Sequence, residues 1–143
     1  MKQTRHIGVY GLVIEDEKIL LVKKCRGAYT GQYDLPGGSI EHGEKPIETL
    51  KRELQEETNT KVKNATLLDA NSVIVEWLHH DTPEQLHHIG IIYEVILTDT
   101  KVKEDADGHD SLGAVWCNIK DLSKKDISPL TLEALLLKGY SIK

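Results

Sequence analysis

The segment that most constrains the fold of this 143-residue chain is Gly38–Thr60, which reads GSIEHGEKPIETLKRELQEETNT. Pro46 stands where a helix can begin, because proline is well tolerated in the first helical turn. Three aliphatic residues then recur at helical spacing and cover an arc of roughly 60°, namely Ile47, Leu50 and Leu54. The spacing predicts a helix over Pro46–Thr58 with a narrow apolar stripe facing the core.

Three carboxylates lie beside that stripe on an arc of about 100°, and they are Glu53, Glu56 and Glu57. Because their spacings are i, i+3 and i+4, all three project to one side and repel one another. This arrangement suggests a hard divalent ion, Mg²⁺ or Mn²⁺, held through oxygen atoms. Arg52 can pair with Glu56 or fork onto Glu44 in the preceding loop. The alternative is a solvated acidic helix face.

The same segment resembles the Nudix box, G-x5-E-x7-R-E-U-x-E-E-x-G-U, where U is a bulky aliphatic residue. Seven positions stand in register with that motif: Gly38, Glu44, Arg52, Glu53, Leu54, Glu56 and Glu57. Two positions depart from it, since Asn59 replaces the second glycine and Thr60 the final aliphatic residue. Asparagine is the non-glycine residue that best tolerates a left-handed helix cap. Neither departure touches a carboxylate.

The resemblance implies an α/β/α sandwich with a central mixed sheet, as a single Nudix hydrolase domain over residues 1–143. It also implies an enzyme in which water attacks a phosphorus of a pyrophosphate with the help of metal ions. Carried over by position, the metal ligands would be Glu53, Glu56, Glu57 and the backbone carbonyl of Gly38. Glu44 and Arg52 would orient the loop and the carboxylates.

The general base is left open by the resemblance, because the family varies at this point. Glu56 is one candidate, and an acid of the 100–111 loop is the other. The acidic residues of that loop are Glu104, Asp105, Asp107 and Asp110. A solvated acidic loop is the simpler interpretation of the four. Glu94, within an apolar strand, could point outward or into the site cleft.

The overall charge and the cysteine count restrict the partners and the compartment. A net charge of -5 gives no support to binding of a nucleic-acid polymer. Cys25 and Cys117 are far apart in sequence and form no metal-ligand pair, so a reducing cytoplasm is expected. The N-terminal residues contain no long apolar run, and no membrane contact is predicted. A homodimer is an expectation from the family alone.

Strands and turns are predicted around the box from hydrophobic alternation and turn residues. Strands are expected over 6–14 and 18–24 around a turn at 15–17, over 61–79 with a break near 69–71, and over 86–98 after a turn at 80–85. A further strand begins at Val115. A last helix is predicted from Pro129 to Leu137, preceded by Ser128 and stopped by Gly139.

Several side chains outside the box are weaker candidates for ligand contacts. Two histidine pairs, His79-His80 and His87-His88, flank one turn and could meet across a hairpin to bind a metal or phosphate, although an exposed hairpin end is the simpler interpretation. Trp77 and Tyr93 could stack on a base, although a place in the core or at its rim is the simpler interpretation, and Trp116 is expected to be a packing residue. A basic run after the second strand could contact phosphates or form a solvated basic end, and it comprises Lys23, Lys24 and Arg26.

The substrate is narrowed only by elimination. The family's ADP-ribose subgroup carries a proline about sixteen residues beyond the box, where this chain has Val75. The dinucleoside-polyphosphate subgroup often has a tyrosine there, and Trp77 stands nearby instead. A nucleoside triphosphate or related small nucleotide is therefore the expected substrate. A nucleotide sugar or another nucleoside-diphosphate derivative is one alternative, and a non-enzymatic Nudix-fold binding module is the other.

Overall fold

The computed structural model of the protein describes residues 1–102 and 111–143, which form eight strands and two α-helices. The strands are β1 Lys2–Leu12, β2 Ile14–Glu15, β3 Lys18–Lys24, β4 Tyr33–Asp34, β5 Gly37–Ser39, β6 Val62–His79, β7 Thr82–Leu97 and β8 Ser111–Asn118. The helices are α1 Pro46–Thr58 and α2 Pro129–Leu137. Both helices have the bounds that the sequence predicts.

The strands form two four-stranded sheets. The first has the order β5-β1-β7-β6. It is mixed, because β1 runs parallel to β7, whereas β1 with β5 and β6 with β7 run antiparallel. In the second sheet β3 pairs antiparallel with β2, β4 and β8. The predicted central mixed sheet is confirmed.

Alternation along β1 sends neighbouring side chains to opposite faces and so separates two apolar clusters. Val9 packs in the cluster that contains Leu54 of α1. Tyr10 packs in the other, with Leu130 of α2. Full burial of a leucine such as Leu54 contributes about 1.5–3 kcal/mol. The helices therefore cover opposite faces of the sheet region, which gives the predicted α/β/α layering.

The mixed sheet extends further than the sequence pattern indicates. β1 begins at Lys2 rather than at residue 6, because residues 2–5 pair in parallel with residues 84–87 of β7. β6 continues through the predicted break, where a register shift between Leu67 and Asp69 absorbs the irregularity. The turn that follows is shorter than predicted, with positive φ angles at His80 and Asp81 only.

The two helices are short relative to a bilayer. α1 has 13 residues and α2 has nine, whereas a membrane-spanning helix needs about 20. Neither described helix is long and apolar enough to cross a membrane.

Candidate metal centre

The acidic helix α1 is fixed in place at both ends. At its start, the backbone N–H of Lys45 donates to the Glu48 carboxylate over 2.8 Å, which ties the first turn to the residue that precedes Pro46. At its end, Asn59 adopts the left-handed conformation with φ 56°, and its N–H donates to the carbonyl oxygen of Gln55. The prediction that Asn59 serves as a left-handed cap is confirmed.

Arg52 connects the loop before the helix with the acidic face of the helix. Its guanidinium donates to both carboxylate oxygens of Glu44, at 2.8 and 3.0 Å. The same group donates to Glu53 at 2.9 Å, to Glu56 at 3.3 Å and to the carbonyl oxygen of Ser39 at 3.0 Å. Both pairings considered from the sequence, with Glu44 and with Glu56, are therefore present.

Glu44 acts as the anchor of that loop. Besides Arg52, its carboxylate accepts hydrogen bonds from the Glu41 N–H and the Thr49 hydroxyl, both at 2.9 Å. The Arg52 hydrogen bonds, more than any other contact, lower the pKa of Glu44 from 4.5 to about 2. Glu44 is thus ionised across the neutral range and holds the guanidinium toward the helix face.

The glycines of β5 bring the backbone against two of the carboxylates. The N–H of Gly37 donates to Glu57 over 2.7 Å, and Glu57 is only 6% exposed. A Cβ on Gly38 would lie 2.7 Å from the carboxyl carbon of Glu53, closer than real Cβ contacts. Only glycine at this position leaves room for the Glu53 carboxylate beside the backbone.

The donor set fits a hard divalent cation, since it offers carboxylate oxygens and a closely approaching glycine backbone. In the ranges that the structure describes, no three His, Cys, Asp or Glu side chains are gathered closely enough to enclose an ion. Arg52 donates hydrogen bonds to Glu53 and Glu56 on this side of the helix. Glu56 is the most accessible of the three, with 58% of its side chain exposed.

Of the acids considered outside the box, Glu94 alone lies in the part of the chain that the structure describes. Glu104, Asp105, Asp107 and Asp110 lie outside the described residues. Glu94 points outward, because its carboxylate pairs with the Lys138 ammonium at 2.7 Å and its side chain is 45% exposed.

The four histidines do not come together. In the β6–β7 hairpin, His79 pairs with Thr82 beside the turn, whereas His88 pairs with Val73, further from the turn. The His79 ring stacks on Trp77 at 4.9 Å, and its Nδ1 lies 3.0 Å from Glu84. The exposed-end interpretation thus holds for the tip of the hairpin, but His88 is buried.

The remaining side chains that the sequence suggested as ligand contacts do not share one site. The Lys23 ammonium lies over the Tyr33 ring at 4.6 Å from its centroid. Trp116 packs against the cluster of α1, and its indole N–H donates to the carbonyl oxygen of Thr100. Lys24 and Arg26 line a small cavity on the α2 side of the sheet.

Sequence reasoning missed the group that lines this cavity. The Tyr10 and Tyr29 hydroxyls both contact the His88 ring, at 2.6 and 2.7 Å. Asp34 is buried nearby, and that burial raises its pKa despite a hydrogen bond from Ser128. The inward alternation of Tyr10 and His88 was a usable signal, but the placement of Tyr29 depends on a loop that periodicity does not describe.

Comparison with known proteins gives a consistent result. The family model described as the NUDIX domain matches residues 4–135. Nucleoside triphosphatase NudI of Escherichia fergusonii is 28% identical over 133 residues, covering 90% of this chain and 92% of that protein. The protein of the same name from Escherichia coli O139:H28 is 29% identical over 135 residues, with the same coverage.

Solved structures share the architecture. A MutT NUDIX hydrolase from Burkholderia pseudomallei superimposes with a TM-score of 0.63 at 21% identity, covering 96% of this chain and 99% of that one. A NUDIX hydrolase from Nitrosomonas europaea gives 0.64 at 23% identity, covering 94% and 88%. At these identities the structures establish the fold, and they confirm the predicted α/β class.

Proposed function

The chain belongs to the Nudix family, and from that premise we propose that it hydrolyses the pyrophosphate linkage of a nucleoside triphosphate with the help of a divalent metal. Nudix hydrolases act on phosphorus-containing anhydrides of nucleotides, so the chain is an enzyme of that class. The triphosphate assignment is supported by relatives at 28% and 29% identity that are named nucleoside triphosphatases. It also agrees with the elimination of other subgroups from the sequence.

The observation that carries the proposal is the contact of Glu53 and Glu57 with the glycine strand. Glu57 accepts the Gly37 N–H, and the Glu53 carboxylate occupies the space that a Cβ on Gly38 would fill. We assign the metal to Glu53, Glu56, Glu57 and the carbonyl of Gly38. Nudix hydrolases generally need a divalent metal, and we propose Mg²⁺, with Mn²⁺ as a substitute. When bound, the metal supplies charge neutralisation at the phosphate oxygens and activation of water.

The protein's own side chains have separable tasks in this scheme. Glu57 is buried and accepts the Gly37 N–H, so its carboxylate is positioned against β5. Arg52 is anchored by Glu44 and donates to Glu53 and Glu56. It therefore orients these two carboxylates on the side of the helix that carries the proposed metal ligands. The base that accepts the proton of the attacking water is Glu56 or an acid of the 100–111 loop. The exposure of Glu56 suits it to that task.

Other features of the proposed enzyme follow from the sequence. We propose a small nucleotide as its partner rather than a nucleic-acid polymer, because the net charge is -5. A reducing cytoplasm stays a prediction from the two cysteines. A homodimer and a single domain across residues 1–143 stay predictions as well; the family match accounts for residues 4–135.

The proposal is tested by measuring phosphate and pyrophosphate release with Mg²⁺, Mn²⁺ or EDTA. The panel holds nucleoside triphosphates, nucleotide sugars, ADP-ribose and dinucleoside polyphosphates. We expect metal-dependent turnover of triphosphates above the other classes. Preferred turnover of a nucleotide sugar would move the assignment to that alternative. Binding without turnover of any class would favour the non-enzymatic module.

A further inference from the structure

The mixed sheet extends beyond the helix that covers its α1 side. α1 packs over the second half of β1, where Val9 lies in one apolar cluster with Leu54. The first half of β1, residues 2–7, continues the sheet together with residues 82–90 of β7 and 71–79 of β6. We call the surface of these three segments on the α1 side the bare face, since its side chains on both outer strands are exposed.

Exposed aliphatic side chains lie on the bare face. Ile7 is two residues before Val9, so it points to the same side of β1. Strand pairing places two further aliphatic residues on that side, and they are Ile74 and Leu78 of β6. The three residues are 46%, 65% and 66% exposed, in that order. Exposed apolar side chains gathered on one face are typical of an interaction surface.

A groove of about 360 Å³ lies within the bare face. Arg5, His87 and Ile74 form one row across the three strands, and Gln3 and Gln85 line the groove in the next row. The bare face thus combines a recess with protruding aliphatic side chains. A surface of this shape can pack against a copy of itself, because each copy supplies what the other lacks.

The charges on the bare face are of both signs. Arg5 lies on β1, whereas Glu76 lies on β6, two strands and one row away. The ion pairs among the described residues include neither of them. Nucleic acid or an anionic membrane would favour a surface of positive charge alone. A second copy of the bare face instead offers a carboxylate for Arg5 and a guanidinium for Glu76.

A two-fold axis that runs diagonally across the bare face brings these charges together. Each contact in a two-fold interface occurs twice, so Arg5 meets Glu76 of the partner subunit, and Glu76 meets the partner's Arg5. The strands of the two sheets then cross steeply, as in orthogonal sheet packing. One arrangement therefore covers the aliphatic side chains and pairs both charges.

We propose that the bare face is a homodimer interface, in which it packs against the bare face of a second copy with Arg5 paired to Glu76 of the partner subunit. Its three strands and four residue rows span roughly 14 by 25 Å, or about 350 Å². This area is smaller than the roughly 800 Å² that each partner buries in a standard interface. The dimer is therefore weak and dissociates on dilution. The inference is independent of the proposed function, because none of these residues belongs to the acidic helix.

Sedimentation velocity tests the proposal on the full chain over about 1–500 μM, the range in which an interface of this size is expected to associate. The wild-type protein should change from a monomer of 16.1 kDa to a dimer across this range. Ile74→Arg should remain monomeric, because it places an unpaired charge between the two sheets. Leu137→Arg introduces the same charge at a leucine of α2 that is 53% exposed, and it should dimerise as the wild-type protein does.

Charge reversal tests the pairing itself. Arg5→Glu and Glu76→Arg should each raise the dimer dissociation constant by roughly tenfold or more, because like charges then meet twice. The double variant restores both pairs with the signs exchanged, so its constant should return to near the wild-type value. A wild-type protein that is monomeric at every concentration, a dimer that Ile74→Arg leaves intact, or a double variant no tighter than the single ones would overturn the inference.

Discussion

At the scale of single residues, Arg52 and the β5 glycines do most to organise the acidic face. Arg52 donates to Glu44 and to the helix carboxylates, and Gly38 leaves the space in which Glu53 lies. These contacts place a positive guanidinium among the like charges on one side of the helix. They also make the site sensitive to very small changes in side-chain volume.

Gly38→Ala should lower kcat/KM by about 10–100-fold, the range typical of disturbed metal-site support. The new Cβ would lie 2.7 Å from the carboxyl carbon of Glu53 and would displace it. The kinetic constants with a triphosphate substrate are the measurement. Ser39→Ala, at the exposed neighbouring position, is the control and should behave as wild type. Full activity in Gly38→Ala would show that the Glu53 position is not needed.

Glu44 should make stability depend on pH on the acid side. Its pKa falls from 4.5 to about 2 on folding, so its contribution is fully present above about pH 4.5 and is lost as the pH falls toward 2. Glu44→Gln should therefore be less stable than wild type at pH 7, with the gap closing as the solution is acidified. Urea unfolding at several pH values measures this. A gap that stays constant with pH would contradict the ionic role.

The box residues could be predicted because their order and spacing encode the site directly. Glu53, Glu56 and Glu57 needed only the period of a helix to be placed on one side. The contact between Tyr29 and His88 could not be predicted, since it joins a loop to a distant strand. Such a contact depends on chain geometry that no local period specifies.

At the scale of secondary-structure elements, helix α1 was predictable to its ends because each end carries a local signal. Pro46 marks the start, and Asn59 adopts the left-handed cap. The long strand β6 was harder to predict. The residues at its bulge between Leu67 and Asp69 look, from the sequence alone, like a break between two strands. Pro83 suggested a wide turn, yet β7 accommodates it just before Glu84, where pairing with β1 begins.

Asn59→Ala should destabilise the protein by about 1–2 kcal/mol, the cost of the left-handed conformation for a residue with an ordinary side chain. Asn59→Gly should be close to neutral in stability and mild in activity, because glycine adopts φ 56° without strain. Chemical denaturation of both variants gives the comparison. An equal loss in the two would indicate that the Asn59 side chain, which accepts a hydrogen bond from Gln55, matters more than the cap conformation.

At the scale of the whole molecule, the two sides of the sheet region differ in the groups that they carry. The α1 side carries the proposed metal residues, and the α2 side carries the Tyr10–His88 cavity. The layering followed from the family resemblance. The split into a mixed and an antiparallel sheet came only from the structure, because strand order depends on long-range pairing.

Mg²⁺ should stabilise the folded protein, because the proposed carboxylate ligands share one face of α1 only in that state. At ten times the dissociation constant the gain is about 1.4 kcal/mol, or roughly 3–5 °C in Tm for a chain of this size. Thermal unfolding with MgCl₂ is compared with NaCl at equal ionic strength. The same Tm in both salts would argue against a metal site in the folded protein.

The most direct test of the central claim is kcat/KM for a nucleoside triphosphate with Mg²⁺ in Glu57→Gln. The amide oxygen can still accept the Gly37 N–H, so the variant loses charge at nearly constant shape. Glu133→Gln, on the exposed surface of α2, is the matched control. We predict at least a 100-fold loss in Glu57→Gln and none in the control, with both proteins folded. Wild-type turnover in Glu57→Gln would contradict the metal assignment.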